Sequence, residues 1–231
     1  MSDSKIINEQ IEVYRRSFLA HGDSPQATFA TGREVQDVRF ERIIMPLLAA
    51  KTPFSVHDVG AGLCDLHRYL LGRGIEHSYS ATEIVPEMVE LARGKYPGIT
   101  VHERDILTET VAERYDFVVQ SGVFNIPGES ERAAWKRFVL DMIGKMYEMA
   151  TVATSFNFLT THRTFTDPDL FYLDPGEVLA FCVKHLSRFV LLDHGYPLFE
   201  CTATVFKPEF VRSRCTTPGF DKYFKVTRLG P

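Results

Sequence analysis

Three acidic residues and a pair of glycines carry the chemical signal of this sequence. Asp58-Val59-Gly60-Ala61-Gly62 closes a short apolar run, Pro53 to Val59. Gly60 and Gly62 let the backbone turn tightly and approach a ligand with no Cβ in the way. The helix that must follow offers free N–H groups, which suit a carboxylate. Asp58, just before the turn, can balance a positive charge such as an ammonium or a sulfonium. Glu83 closes the next apolar run, about 20 residues on, where an acidic side chain can accept hydrogen bonds from both ribose hydroxyls. Ile84 follows it. Asp105 closes a third run and can accept from an adenine amino group, while the backbone N–H of Ile106 can reach a ring nitrogen. Gln120-Ser121-Gly122-Val123-Phe124-Asn125 closes a fourth.

These residues need elements that bring strand ends to one edge. Apolar spacing predicts helices over residues 5–20 and 33–50, separated by a Gly/Ser/Pro-rich loop. From residue 53 strands and helices alternate. Strands are read at 53–60, 77–84, 99–106, 115–122 and 151–158, with helices at 65–74, 86–98, 130–150 and 175–185. Ser130 is read as the cap of the long fourth helix, with Glu131 in its first turn, and Asp174 as the cap of the next. Residues 189–195 and 199–207 are two last strands whose short connection makes them antiparallel neighbours. Alternation of this kind implies right-handed crossovers and a parallel sheet. Ligands of such sheets bind beyond the carboxyl ends of the strands. The residues beyond Phe206 show no clear period and read as a loose extension.

In order and register, these four segments resemble the motifs of class I, Rossmann-like S-adenosylmethionine (SAM) methyltransferases. The resemblance covers about residues 53–207, and the terminal antiparallel hairpin is part of it. It implies an α/β fold: a seven-stranded, mostly parallel sheet with a C-terminal antiparallel hairpin and an N-terminal helical lid. A single domain of 231 residues is expected, divided into a lid segment (1–52), a SAM-binding core (53–207) and a C-terminal extension (208–231). The front end, YRRSFLAHGDSPQATFATGREVQDVRFERI, together with HGYPLFECTATVFK, resembles an uncharacterised subgroup of bacterial small-molecule methyltransferases. The implied cofactor is SAM, with S-adenosylhomocysteine (SAH) as product. The implied cofactor residues are Asp58, Gly60, Ala61, Gly62, Glu83, Ile84, Asp105, Ile106, Gln120 and Ser121. A nicotinamide fingerprint would need glycine or alanine where Asp65 stands, and a carboxylate there repels a pyrophosphate. No phosphate-binding GxxxxGK[ST] loop is present.

The sulfonium of SAM already activates its methyl group, so the chain must chiefly hold an acceptor in line. A hydroxyl or ammonium acceptor also needs a base. His162 and His21 are the histidines read for that role, with His194 read as structural. Tyr14, Phe29, Phe124, Asn125, Phe156 and Phe158 are read as acceptor-side residues lining a mostly apolar pocket. Phe124-Asn125-Ile126-Pro127 stands where many base and amide N-methyltransferases carry an N-P-P-Y type motif. The expected function is O- or N-methylation of a small molecule, in specialised-metabolite or sugar-related biosynthesis. A non-catalytic SAM-binding sensor or scaffold, and a protein-modifying methyltransferase, are the other classes the motifs allow.

Composition agrees with a small-molecule enzyme. Net charge is −4 and no Lys/Arg run exceeds a pair, against a nucleic-acid partner. The four cysteines form no CxxC and no metal-ligand spacing with histidine, and no metal is expected. The polar N-terminus lacks a signal-peptide core, and no apolar stretch is long enough for a bilayer. A cytoplasmic monomer or homodimer, with reduced thiols and no membrane contact, is therefore expected.

Overall fold

The computed structural model describes residues 3–224; the last part of the expected C-terminal extension, 225–231, lies outside the described residues. Two helices come first, α1 (Asp3–His21) and α2 (Arg33–Ala50), with a short 3-10 turn, Pro25–Thr28, between them. Alternation then follows as β1 (Phe54–Val59), α3 (Asp65–Gly72), β2 (His77–Glu83), α4 (Pro86–Lys95), β3 (Thr100–Glu103), β4 (Tyr115–Gln120), α5 (Arg132–Met149) and β5 (Ala150–Leu159). The chain continues through α6 (Pro175–His185), β6 (Val190–Asp193), β7 (Glu200–Phe206) and α7 (Pro208–Arg214).

The seven strands form one sheet in the order β3-β2-β1-β4-β5-β7-β6. The first five are mutually parallel, and β7 runs antiparallel to both β5 and β6. The order reverses between β1 and β4, which is where a doubly wound sheet opens a crevice beyond its strand ends.

Both faces of the sheet are covered, and strand alternation divides the core between them. On β4, Val118 packs with Trp135, Phe138 and Ile143 of α5. Its neighbours Phe117 and Val119 pack with Phe40, Ile43 and Leu47 of α2 and Leu66 and Leu70 of α3. Two readings of helix ends change. α5 begins at Arg132 with Glu131 at its cap position and no side-chain cap bond, so Ser130 is not the cap. Instead Ser130 N–H is bonded to the Pro127 carbonyl, one turn earlier. The segment after Phe206 is not wholly loose, because Pro208 opens α7. Asp174 caps α6 as expected, accepting from Gly176 N–H and Glu177 N–H. Among the described residues, no helix is long and apolar enough to cross a membrane.

Candidate functional site

The turn after β1 has the conformation its glycines permit. Gly60 and Gly62 adopt φ of 67° and 54°. A Cβ on Gly60 would lie 2.5 Å from Val123 Cγ2, and one on Gly62 2.7 Å from Thr28 Cγ2. Glycine therefore lets the β4 loop and the 3-10 turn close on this loop from two sides. Cys64 follows with φ of 59°, and Asp65 begins α3.

Glu83 is almost fully buried at the end of β2. One of its oxygens accepts from Gly62 N–H at 2.7 Å, the other from Ile84 N–H and Val85 N–H at 2.7 and 3.0 Å. Burial raises its pKa, and these three donors oppose the shift. Asp58 is buried too and accepts from the Tyr79 hydroxyl at 2.7 Å. Burial pushes its pKa up to about 7 despite that bond, with the charges of Glu83 and Asp65 adding to the rise. Asp105 accepts from Leu107 N–H and the Thr108 hydroxyl, closing a tight turn at the end of β3.

Three cavities open over these strand ends. The first, about 730 Å³, is walled by Gly60, Gly62, Glu83, Ile84, Asp105, Ile106 and Ser121, with Ile7, Gln10 and Tyr14 of α1 across it. The second, about 450 Å³, lies between Asp58, Ala61, Asp65, Gln36 and Arg39. The third, about 930 Å³, sits under the loop after β5, among Phe29, Asn125, Arg163, Phe165, Tyr172 and Glu200. Thr28 and Gly122 line all three.

α1 is fastened across the first cavity from both sides. Arg15 pairs with Glu87 of α4 at 2.8 Å, and Asp23, just beyond α1, pairs with Lys95 of α4 at 2.6 Å. Gln10 donates to the Ile126 carbonyl at 3.2 Å on the other side. Tyr14 stacks edge-on against Phe29 with centroids 5.3 Å apart. Burial and the nearby Glu83 raise the Tyr14 pKa, so its phenol stays protonated. Phe29 itself sits at φ of 58° and is half-exposed on the wall of the third cavity.

Several sequence assignments change. Phe124, Phe156 and Phe158 line none of the three cavities; all are core residues on the α5 side of the sheet. Strand alternation puts Phe156 and Phe158 on one face, and that face meets helices rather than ligand space. The Gln120 amide is engaged internally, donating to the Asn157 carbonyl and accepting from Val123 N–H. His162 and His21 are exposed and line none of the three cavities. His162 packs against His194 instead, with ring centroids 6.0 Å apart.

Residues not singled out from sequence take important places. Arg39 reaches from α2 to Glu200 on β7, donating through Nε at 2.8 Å and Nη2 at 2.5 Å. Asn157 donates to the other Glu200 oxygen at 2.6 Å and accepts from Gly122 N–H at 2.8 Å. Gln36 Oε1 and Arg104 Nη2 are buried without a hydrogen-bond partner and belong to the second and first cavity walls. Their unmet capacity, beside glycines that keep the backbone bare, fits a polar ligand with cationic and anionic groups.

A glycine turn after β1, acidic ends on β2 and β3, and a final antiparallel strand define the class I methyltransferase architecture. Solved structures with this fold include magnesium protoporphyrin IX methyltransferase (ChlM) from Synechocystis PCC 6803 with bound SAM. It is 14% identical, with a TM-score of 0.60 over 85% of this chain and 96% of that one. N-methyltransferase NodS from Bradyrhizobium japonicum WM9 in complex with SAH is 13% identical, with a TM-score of 0.61 over 87% of this chain and 99% of that one. The DhpI–SAM–HEP complex is 16% identical, with a TM-score of 0.60 over 88% and 99%. No protein-family profile matches the chain. A curated protein of Mycobacterium tuberculosis (strain ATCC 25618 / H37Rv), Rv1506c, whose name describes it as a methyltransferase, is 30% identical over 165 residues, 71% of this chain and 99% of that protein. The chain belongs to the class I SAM-dependent methyltransferase family.

Proposed function

We propose that this chain binds SAM across the first two cavities and methylates a small molecule held in the third. The observation that carries this is the meeting of all three cavities at Thr28 and Gly122. When bound, SAM supplies an activated methyl group. We assign to Glu83 acceptance from one ribose hydroxyl, through the Oε2 lone pair that its three N–H donors leave free. Asp105 and Ile106 border the adenine side. The wall of the second cavity carries Arg39 together with Asp58 and Asp65, a guanidinium and two carboxyls, which suits an amino-acid zwitterion. In this proposal Asp58 balances the ammonium, and the carboxylate takes its hydrogen bond from Arg39 Nη1, the nitrogen that Glu200 does not use.

The acceptor cavity is bounded by aromatic rings and held by fixed backbone. The loop after β5 is pinned by Phe171 N–H to the Asn125 carbonyl at 2.8 Å and by Arg132 to the Leu170 and Pro168 carbonyls. Such fixed walls orient a small acceptor and exclude water. Glu200 is the carboxylate that reaches this cavity, and Arg39 and Asn157 satisfy it. Both of its oxygens are engaged by these donors, so the arrangement favours an acceptor atom that needs no base, a neutral amine or an acidic hydroxyl. Incubating the protein with methyl-labelled SAM and a cell extract tests the assignment. Label in the small-molecule fraction supports it. Label confined to protein, or none above the rate without extract, would sink it.

A further inference from the structure

Arg163 occupies an unusual position for a charged side chain. It follows β5 and lies over the Tyr172 ring, its guanidinium carbon 3.8 Å from the centroid. Nη1 donates to the Thr161 carbonyl at 3.1 Å. Nε is buried without a hydrogen-bond partner. Among the described residues no carboxylate pairs with Arg163, although fifteen ion pairs form elsewhere, most of them at the surface. Arg163 is half-buried, and a guanidinium with a buried, unused Nε donor and no counter-ion is suited to an anion that a ligand supplies.

The rest of the third cavity completes a recognition pattern. Arg39 and Glu200 cancel each other there, so Arg163 leaves the cavity one positive charge in excess. Asn125 is 7% exposed, and its Oδ1 accepts from nothing. That oxygen asks for a ligand N–H or O–H. Between these polar points the wall is largely apolar, with Phe29, Leu159 and Leu198 on it and Phe165 and Phe199 edge-on to each other at 5.2 Å. Arg163 lines the third cavity but neither cofactor cavity, whereas Gly122 and Thr28 line all three. The cation therefore anchors the acceptor instead of facing the transferred methyl.

We infer that the acceptor is a small aromatic acid: a planar ring, an anionic group bound by Arg163, and a hydroxyl or amine donating toward Asn125. This rests on the cofactor assignment above. Aromatic faces take the ring, and the forked guanidinium takes the acid group.

Binding in the presence of saturating SAH tests it. Salicylate, anthranilate and hydroxynaphthoate are titrated beside their primary amides, against the native chain, Arg163→Gln and Arg163→Lys. SAH affinity and the melting temperature are measured on the same samples. The acids bind about tenfold or more tighter than the amides, as expected for a hydrogen bond to a charged group. Arg163→Gln erases that ratio and Arg163→Lys keeps part of it, with SAH binding unchanged. Equal binding of acid and amide overturns the inference, as does a ratio that survives Arg163→Gln. So does binding of SAH with no binding of any of these compounds. Failure of SAH itself to bind removes the cofactor assignment, and this inference with it.

Discussion

Arg39 on α2 and Glu200 on β7, 161 residues apart in the chain, are joined by two hydrogen bonds to one carboxylate oxygen. Glu200 is 2% exposed, so the pair fixes an N-terminal helix to the sheet at the border of the second and third cavities. Removing only the cation leaves a buried, uncompensated carboxylate. Arg39→Met is expected to cost about 3 kcal/mol in urea denaturation, and the double change Arg39→Met/Glu200→Met to cost less than the single one. Under the proposed zwitterion site, both variants bind SAM more weakly. A double variant that regains full SAM affinity would show that Arg39 has only a structural role.

Glu83 offers a second test. Three backbone N–H groups converge on its carboxylate. Glu83→Gln keeps the shape but replaces one oxygen with an amide donor that opposes an N–H. We expect a loss of about 1–2 kcal/mol in stability and at least about tenfold in SAM affinity. Unchanged affinity in a folded variant would place the ribose elsewhere.

Asp58 links the site to pH. Its folded pKa, about 7, lies above its ordinary value of 3.8, because burial disfavours the anion. Between those values the folded chain holds a proton that the unfolded chain releases. Its contribution to stability therefore falls as pH rises through this window, and the penalty is complete above it. Asp58→Asn should be more stable than the native chain near pH 8 by roughly 1–3 kcal/mol, with the difference gone below about pH 4. The same ionisation should strengthen SAM binding in the native chain as pH rises through about 7, and Asp58→Asn should flatten that profile. Thermal melts and titrations across this range read both. A native profile that is flat, or falls with pH, would contradict the role given to Asp58.

The histidines provide a negative expectation. His162 and His21 are exposed and line none of the three cavities. Replacing either with alanine should change kcat/KM by less than about twofold, far below the loss that follows removal of a general base. A loss of about a hundredfold in either would restore it as a base acting through a rearranged loop.

The thiols are separately testable. Cys64, Cys182 and Cys201 are buried, and burial pushes each pKa up to about 12; Cys215 is partly exposed. A disulfide reagent at neutral pH should modify Cys215 quickly, and the others only after unfolding. Fast modification of Cys64 would contradict the packing of the glycine turn.

The architecture was legible because its signals are local. A glycine pair after an apolar run, an acidic residue closing each of the next two runs, and prolines opening α4 and α6 all act within one turn of chain. Asp174 declared its helix for the same reason, whereas Ser130 misled because a turn to Pro127 uses its backbone one step before α5 begins. The acceptor side was less legible. Alternation shows that Phe156 and Phe158 share a face, but not whether that face meets ligand or helix. Arg39, Glu200 and Arg163 act through partners set by the fold, and no local spacing announces an ion pair 161 residues wide.

The central claim is a SAM site over the ends of β1, β2 and β3. The most direct measurement is calorimetric titration of the native chain with SAM, SAH and NADH in parallel. We predict Kd values for SAM and SAH of about micromolar, weakened by Glu83→Gln, and no heat from NADH. Binding of NADH, or of none of the three, would contradict the account.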